Sequence, residues 1–179
     1  METNFRVAPM SRRNLRQIAC VIRKRLHITT RRFPIVSLLD PLTLLDKRFN
    51  YSIECDENFP TDVHAYWDPF EYVMHIRESV YLGACDGRGR DRMTLAHEFA
   101  HYILHTAQTP SMARTMSPSL IRPFESAEWQ AATFAAELLM PADSISGNES
   151  VAFIAEEYGV SEIAASVQLG ILKKERRKI

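Results

Sequence analysis

Several features that mark secreted and membrane-spanning proteins are missing from this sequence. Its 179 residues include three cysteines, Cys20, Cys55 and Cys85, which are widely spaced and form no C-x-x-C pair. This spacing excludes a disulfide framework and indicates free thiols in a reducing compartment. No apolar run approaches the roughly 18 residues of a membrane-spanning helix, and residues 1–6 lack the apolar middle of a signal peptide. We therefore expect a cytoplasmic protein that does not enter a membrane.

The sequence also has no net charge, with 22 basic and 22 acidic residues, but the two signs are unevenly distributed. Residues 1–32 hold nine Arg or Lys against one Glu, a net +8, and residues 173–179 hold five against one, a net +4. Residues 33–172 therefore carry −12. Basic ends that flank an acidic body indicate a solvated surface, with contact to nucleic acid or to an acidic partner as the alternative.

The most informative stretch is 94–105, where H-E-x-x-H lies within an apolar helical pattern. Residues four apart on an α-helix lie one above the other, so His97 and His101 can direct two imidazoles to one metal ion. Glu98 follows on the same helix and can act on water as a general base without being a ligand. The pattern predicts a metal-dependent hydrolase. The alternative is a core helix with two hydrogen-bonded histidines.

A catalytic zinc usually takes three protein ligands, so a third residue must come from elsewhere. Residues 125–140 form a second predicted helix, which Pro141 ends. Glu128 is the predicted third ligand, because a lone carboxylate on a face of small and apolar residues needs a metal or a partner. The residues that share this face are Ala131, Ala132, Ala135 and Leu139. Glu125, one turn earlier, is the alternative ligand, and Glu137 is expected to be solvated on the opposite side.

Both segments resemble one known family. Residues 90–105 read R-x-R-x-T-L-A-H-E-x-x-H-Y-x-L-H, and residues 128–141 read E-x-x-A-x-x-F-A-A-E-L-L-M-P. They are similar to the corresponding motifs of the ImmA/IrrE family of metallopeptidases. Near the end of the chain a short helix, a G-V-S turn at 159–161 and a further helix also resemble that family. The resemblance covers residues 34–172.

The resemblance implies a zinc-dependent endopeptidase with a gluzincin-like site. In such a site Zn2+ is held by His97, His101 and Glu128, and Glu98 is the base; Mn2+ is the alternative metal. It also implies a protein substrate, a helix-turn-helix transcriptional repressor, whose cleavage relieves repression of a mobile element or a stress response. A zinc-containing module or toxin-like partner that binds such a regulator without cutting it is the alternative function. Direct binding to nucleic acid through the basic ends is a third hypothesis, which predicts affinity that falls steeply with salt.

The order of elements predicts an α+β fold with a zincin-like metallopeptidase domain. In it, a small antiparallel or mixed sheet packs on the H-E-x-x-H helix and on the second ligand helix. Residues 1–33 are interpreted as a basic N-terminal helical segment and 34–146 as the metallopeptidase core. Residues 147–179 are interpreted as a helix-turn-helix-like subdomain with a basic tail. This last part contains a C-terminal helical hairpin, with helices predicted at 150–158 and 162–172.

Further elements are predicted before the metal helix. They are helices at 11–26 and 41–49 and strands at 51–55, 63–67 and 72–76. The last strand is the candidate for an edge to which a substrate peptide adds as one more strand. Residues 68–71 have the turn chemistry of a hairpin, and residues 86–90 are expected to be a flexible approach to the metal helix. Residues 106–124 are too long for an ordinary connection, and a mobile loop beside the cleft or a disordered segment is expected there.

Other polar side chains near the motif are given structural roles. His64 and His75 fall on predicted strands and are expected to be half-exposed or hydrogen-bonded rather than ligands. His105 is expected to pack or to support a ligand, with a ligand role of its own if Glu128 is not one. Tyr102 is expected to pack, with polarisation of a substrate carbonyl as the alternative.

Overall fold

A computed structural model describes residues 5–106 and 121–177 of the chain. Within these residues the chain forms seven α-helices and a three-stranded mixed sheet, so the predicted α+β class is confirmed. The helices are α1 (Arg12–Arg25), α2 (Leu39–Leu45), α3 (Glu78–Cys85), α4 (Gly89–His105), α5 (Ala127–Leu139), α6 (Val151–Tyr158) and α7 (Glu162–Arg176). The strands are β1 (Asn50–Glu54), β2 (Ala65–Asp68) and β3 (Val73–Arg77).

The sheet has the order β1-β3-β2, with β1 parallel and β2 antiparallel to β3. The predicted hairpin between β2 and β3 is present, and the Asp68 carboxylate accepts the N–H groups of Phe70 and Glu71 in its turn. The prediction that the strand at 72–76 forms an edge is wrong, because β3 lies at the centre of the sheet. The parallel pairing that places Ser52 beside His75 is not local in sequence. β2 is therefore the edge strand on the hairpin side.

Helix α4 packs against the sheet and also directly against helix α5. The buried small residues on these two helices are Ala96 and Ala100 of α4 and Ala131 and Ala135 of α5. Small side chains let two helix backbones approach closely, which brings the side chains at the edge of the contact within reach of each other. Ala132 was predicted on the same face but is exposed. Around the helix axis, Ala131 and Ala132 lie on opposite sides of Glu128, and only the Ala131 side meets α4.

Helix α1 packs on another side of α5 and corrects one prediction. The Glu137 side chain is fully buried rather than solvated, because α1 covers it. Arg12 Nη1 donates to Glu137 Oε1 at 2.8 Å, and Arg16 Nε donates to Oε2 at 2.8 Å. The arginine-rich face of α1, expected to meet solvent, thus neutralises a buried carboxylate. Arg23 is also buried, and it donates to the Leu138 carbonyl at 2.9 Å.

Element boundaries differ from prediction where tertiary contacts override local pattern. Helix α2 ends at Leu45, before the predicted 49, because Asp46 is extended and accepts the Tyr102 hydroxyl at 2.8 Å. Helix α3 was not predicted, although Val80 and Ala84 bury its inner face. Since α3 ends at Cys85 and α4 begins at Gly89, a tight turn replaces the flexible approach expected at 86–90.

The C-terminal hairpin of α6 and α7 is confirmed, with Gly159 ending α6 in the left-handed conformation at φ +62°. The Ser161 hydroxyl caps α7 by accepting the Ala164 N–H at 3.2 Å. Most of the loop predicted at 106–124 falls on residues 107–120, which lie outside the described part of the chain. None of the described helices combines the length and the apolar character needed to cross a membrane. The division of the chain at residues 33 and 146 stays a prediction.

Candidate metal centre

Helix α4 carries two imidazoles whose ring nitrogens face each other. No proline interrupts the helix, so residues 97 and 101 lie one turn apart on the same side. His97 Nε2 and His101 Nε2 are 3.1 Å apart. The local helix geometry alone thus brings two nitrogen donors to one point.

Helix α5 supplies a carboxylate to the same point. It begins after Ser126, whose hydroxyl accepts the Trp129 N–H at 3.1 Å, so Glu128 lies in the first turn. Glu128 Oε2 is 3.1 Å from His97 Nε2, and Glu128 Oε1 is 3.4 Å from His101 Nε2. In the described part of the chain, these three residues are the cluster whose donor atoms lie close enough together, within 4.8 Å, to hold a metal ion.

The donor set fits a divalent transition metal ion. Ligands about 2.0–2.1 Å from a tetrahedral centre are separated from one another by roughly 3.3 Å, close to the distances found among these three side chains. Burial alone would raise the pKa of Glu128, but its close contacts with His101 and His97 outweigh burial and hold the pKa well below the usual carboxyl range. An ionised carboxylate facing two imidazoles provides the charge and the oxygen and nitrogen donors that such a cation accepts.

Glu98 lies beside this cluster but is held differently. Its side chain is buried, and Oε2 accepts the backbone N–H of Trp67 at 2.9 Å. Burial raises the pKa of Glu98, while the neighbouring His101 and His97 oppose the shift. Glu98 is thus a residue of α4 whose carboxylate is held in position by the backbone of the edge strand β2. A buried carboxylate with a raised pKa has the proton affinity that a general base needs.

Glu98 and the cluster line one cleft of about 1220 Å³. One wall is the edge strand β2 with the residues before and after it, and another is the first half of α4, which contributes Arg90 and Met93. Phe59 and Phe70 add aromatic surface from the β2 side, and Phe5 adds more from the N-terminal segment. The cleft is large enough for a peptide segment and opens along the unpaired edge of the sheet.

The alternative ligands are held elsewhere. Glu125 forms an ion pair with Arg6 at 3.0 Å and is not among the three clustered donors. His105 is buried, with Nδ1 3.1 Å from His101 Nδ1, so it contacts a candidate ligand rather than joining the cluster. Burial lowers the pKa of His105 to about 4, so its imidazole is neutral at physiological pH.

The remaining polar residues near the motif have the structural roles that were expected. Tyr102 packs in the aromatic core and donates its hydroxyl to Asp46. His75 Nδ1 lies 2.5 Å from Glu54 Oε1 on the sheet. His64 Nε2 accepts from Arg90 Nη2 at 2.7 Å, at the side of the cleft.

Two groups of the site were not predicted from the sequence. The Trp67 N–H is a backbone donor, and its contact with Glu98 depends on which strand forms the edge. Gln130 of α5 is fully buried and meets His105 Nε2 through its Oε1 at 3.2 Å. The sequence offers one indication of a role for Gln130 at the site, namely its position two residues after Glu128. That position alone does not predict a contact with α4.

Comparisons with known proteins agree with this geometry. Residues 23–169 match the model of the IrrE N-terminal-like domain, a peptidase family. Among solved structures the chain is similar to a Mycobacterium tuberculosis transcriptional regulator, with a TM-score of 0.58 over 86% of this chain at 13% sequence identity. The chain spans 45% of that protein's length, so the likeness concerns the fold alone. No curated protein matches the sequence. Because the family model covers most of the chain, including both motifs, the protein belongs to the ImmA/IrrE family of metallopeptidases, as the motifs indicate.

Proposed function

We propose that the protein is a zinc-dependent endopeptidase with a gluzincin-like site in a zincin-like domain. In this proposal His97, His101 and Glu128 hold the metal, and Glu98 is the general base. One observation carries it, namely that a buried carboxylate lines the same cleft as three converging metal donors. Imidazole and carboxylate donors suit Zn2+ and also accept Mn2+, so the second metal is the alternative.

The chain's own residues have distinct tasks in this mechanism. A bound divalent cation supplies Lewis-acid polarisation of the scissile carbonyl and makes water more acidic. Glu98 takes a proton from the attacking water and delivers it to the nitrogen of the leaving amine. Because Oε2 already accepts the Trp67 N–H, we assign the proton to Oε1. No bond between substrate and side chain forms in this sequence of steps.

The edge strand β2 offers the substrate a place to bind. Backbone groups of alternate residues point to opposite sides of a strand, and the Trp67 N–H points away from β3 toward Glu98. The backbone of Ala65 therefore points to the same outer side, along the cleft. A peptide that pairs there as a fourth strand would bring one of its carbonyls beside the metal cluster. In this proposal the substrate pairs with β2 and not with β3, the strand at which such pairing was expected.

The proposed substrate is a helix-turn-helix transcriptional repressor, and the proposed role is anti-repression in a mobile element or a stress response. Family membership supports this role. The proposed location is the cytoplasm, which free thiols at all three cysteines support. Direct binding to nucleic acid is less well supported, since Arg12, Arg16 and Arg23 donate to internal acceptors rather than facing a partner.

Substitution of Glu98→Gln tests the proposal. The variant is expected to retain zinc but to cleave a cognate repressor at least about 100-fold more slowly, since general base catalysis contributes roughly 10²–10⁴ in rate. Zinc content is measured by elemental analysis and cleavage by gel electrophoresis of repressor fragments. Glu125→Gln is the matched control and should cleave like wild type. Cleavage by Glu98→Gln at the wild-type rate would show that the base is misassigned.

The same assay separates the alternative function, a non-cleaving binding module or toxin-like partner. A peptidase produces repressor fragments with zinc present and none with chelator. A binding module forms a stable complex and yields no fragments under either condition. This second outcome would refute the peptidase proposal.

A further inference from the structure

A chain of hydrogen bonds leads from the N-terminal segment to one of the proposed metal ligands. Gln130 Nε2 donates to the carbonyls of Ala8 and Phe124, each at 2.8 Å. On its other side Gln130 Oε1 is 3.2 Å from His105 Nε2. His105 Nδ1 is in turn 3.1 Å from His101 Nδ1. Gln130 and His105 are both buried, and neither belongs to the donor cluster itself.

The two carbonyls fix the orientation of the Gln130 amide. Only the NH2 group can donate, so it must face Ala8 and Phe124, and Oε1 must face His105. If the amide were flipped, Oε1 would lie 2.8 Å from two carbonyl oxygens. All three oxygens are acceptors, so no hydrogen bond could form between them and they would repel one another. His105 Nε2 therefore carries the proton that Gln130 accepts.

The proton positions on the two imidazoles follow in order. The buried His105, with its proton on Nε2, presents Nδ1 as an acceptor. His101 then donates through Nδ1–H, which leaves the lone pair of His101 on Nε2, the nitrogen that lies 3.1 Å from His97 Nε2. If His105 instead donated through Nδ1, His101 would carry its proton on Nε2 and that nitrogen would be unable to bind a metal.

We propose that Gln130 and His105 are positioning residues that select the metal-binding tautomer of His101. The inference rests on the proposed ligand role of His101 and extends it to residues that touch neither metal nor substrate. It also gives the N-terminal segment a task, because the Ala8 carbonyl that orients Gln130 lies outside residues 23–169, which match the family model. A ligand imidazole held through its other nitrogen is fixed in both tautomer and ring orientation.

The first experiment reads the tautomers directly. Long-range proton–nitrogen correlation spectra of 15N-histidine-labelled, metal-free protein at neutral pH distinguish Nδ1–H from Nε2–H rings. The expected result is Nδ1–H for His101 and Nε2–H for His105. In Gln130→Met, which removes the acceptor but keeps the side-chain length, His105 and His101 should populate both tautomers. A wild-type spectrum with the His101 proton on Nε2 would overturn the inference.

The second experiment measures zinc affinity by competition with a chromophoric chelator. Gln130→Met and His105→Leu are each expected to bind zinc about 10- to 100-fold more weakly than wild type, the range found when such supporting groups are removed. Tyr158→Phe is the matched control, since Tyr158 is equally buried and donates its hydroxyl to a carbonyl, that of Ser144, at 2.9 Å. It should keep wild-type affinity.

The outcomes separate this inference from the proposed function. Wild-type zinc affinity in folded Gln130→Met refutes the positioning role, whatever the protein cleaves. A zinc-loaded wild-type protein that cuts no repressor refutes the peptidase proposal, while the affinity and tautomer results still decide the positioning role.

Discussion

Substitution of Glu137→Gln is expected to destabilise the fold strongly, although Glu137 is not part of the metal cluster. Its carboxylate has no exposed side-chain surface and is bonded by Arg12 and by Arg16, which also bonds Glu175. The amide keeps the size of the side chain but removes its charge. Two guanidinium groups would then meet at a neutral side chain between α1 and α5.

The magnitude follows from how far each partner is buried. Removing one member of a fully buried ion pair costs about 3–5 kcal/mol, because the remaining charge is left without compensation. Here the side chains of Arg12 and Arg16 stay 20% and 28% exposed, so water can solvate part of the released charge. The retained amide oxygen also still accepts one hydrogen bond. We therefore expect the free energy of unfolding to fall by about 2–3 kcal/mol, below the fully buried range.

Urea unfolding followed by far-ultraviolet circular dichroism measures this loss. Glu175→Gln is the matched control, since its carboxylate is 39% exposed and bonds the same Arg16 at 2.8 Å. An exposed pair of this kind contributes only about 0–1 kcal/mol. A loss below about 1 kcal/mol in Glu137→Gln, equal to the control, would refute the argument that burial makes this carboxylate important.

Three further predictions concern the metal and the backbone. Zinc at about 100 times its dissociation constant should stabilise the protein by about 2.7 kcal/mol in thermal unfolding. Glu128→Ala should abolish this stabilisation, and Glu125→Ala should keep it. The reverse result would show that Glu125, not Glu128, is the ligand. Gly159→Ala should lower stability by about 1–2 kcal/mol, since φ is +62° there. Gly170→Ala, in a helix interior with nothing within 4 Å of its added Cβ, should instead raise stability by about 0.5–1 kcal/mol, and equal effects of the two would contradict the conformational argument.

Local patterns predicted those parts of the site that one helix determines. The spacing of His97 and His101 is a property of the α-helix, so the sequence alone placed both imidazoles on one side. Glu128 was found because a carboxylate beside small residues on a helix face needs a partner. These inferences depend on residues within a few turns of one another. The structure brings the three side chains together, and their role as metal ligands stays a prediction.

The predictions that failed depend on contacts between distant segments. Glu137 looked solvated because only its own helix was considered, whereas its partner Arg12 lies 125 residues away in sequence. β3 looked like an edge because the hairpin is local and its parallel pairing with β1 is not. The role of Gln130 rests on the Ala8 carbonyl, 122 residues away, and no pattern within α5 indicates it.

Helix α5 shows why these distant contacts matter for the site. Three of its polar residues each contact a different part of the chain. Glu128 faces the α4 imidazoles, Gln130 faces His105 and the N-terminal segment, and Glu137 faces α1. A metal ligand must be held to within about 0.5 Å of its productive position. One contact would leave the helix free to slide or rotate about it, whereas three contacts in different directions fix its translation and its rotation together. The contacts of Gln130 and Glu137 therefore hold Glu128, the proposed ligand, in position, and loss of either should weaken metal binding even where the three clustered donors are unchanged.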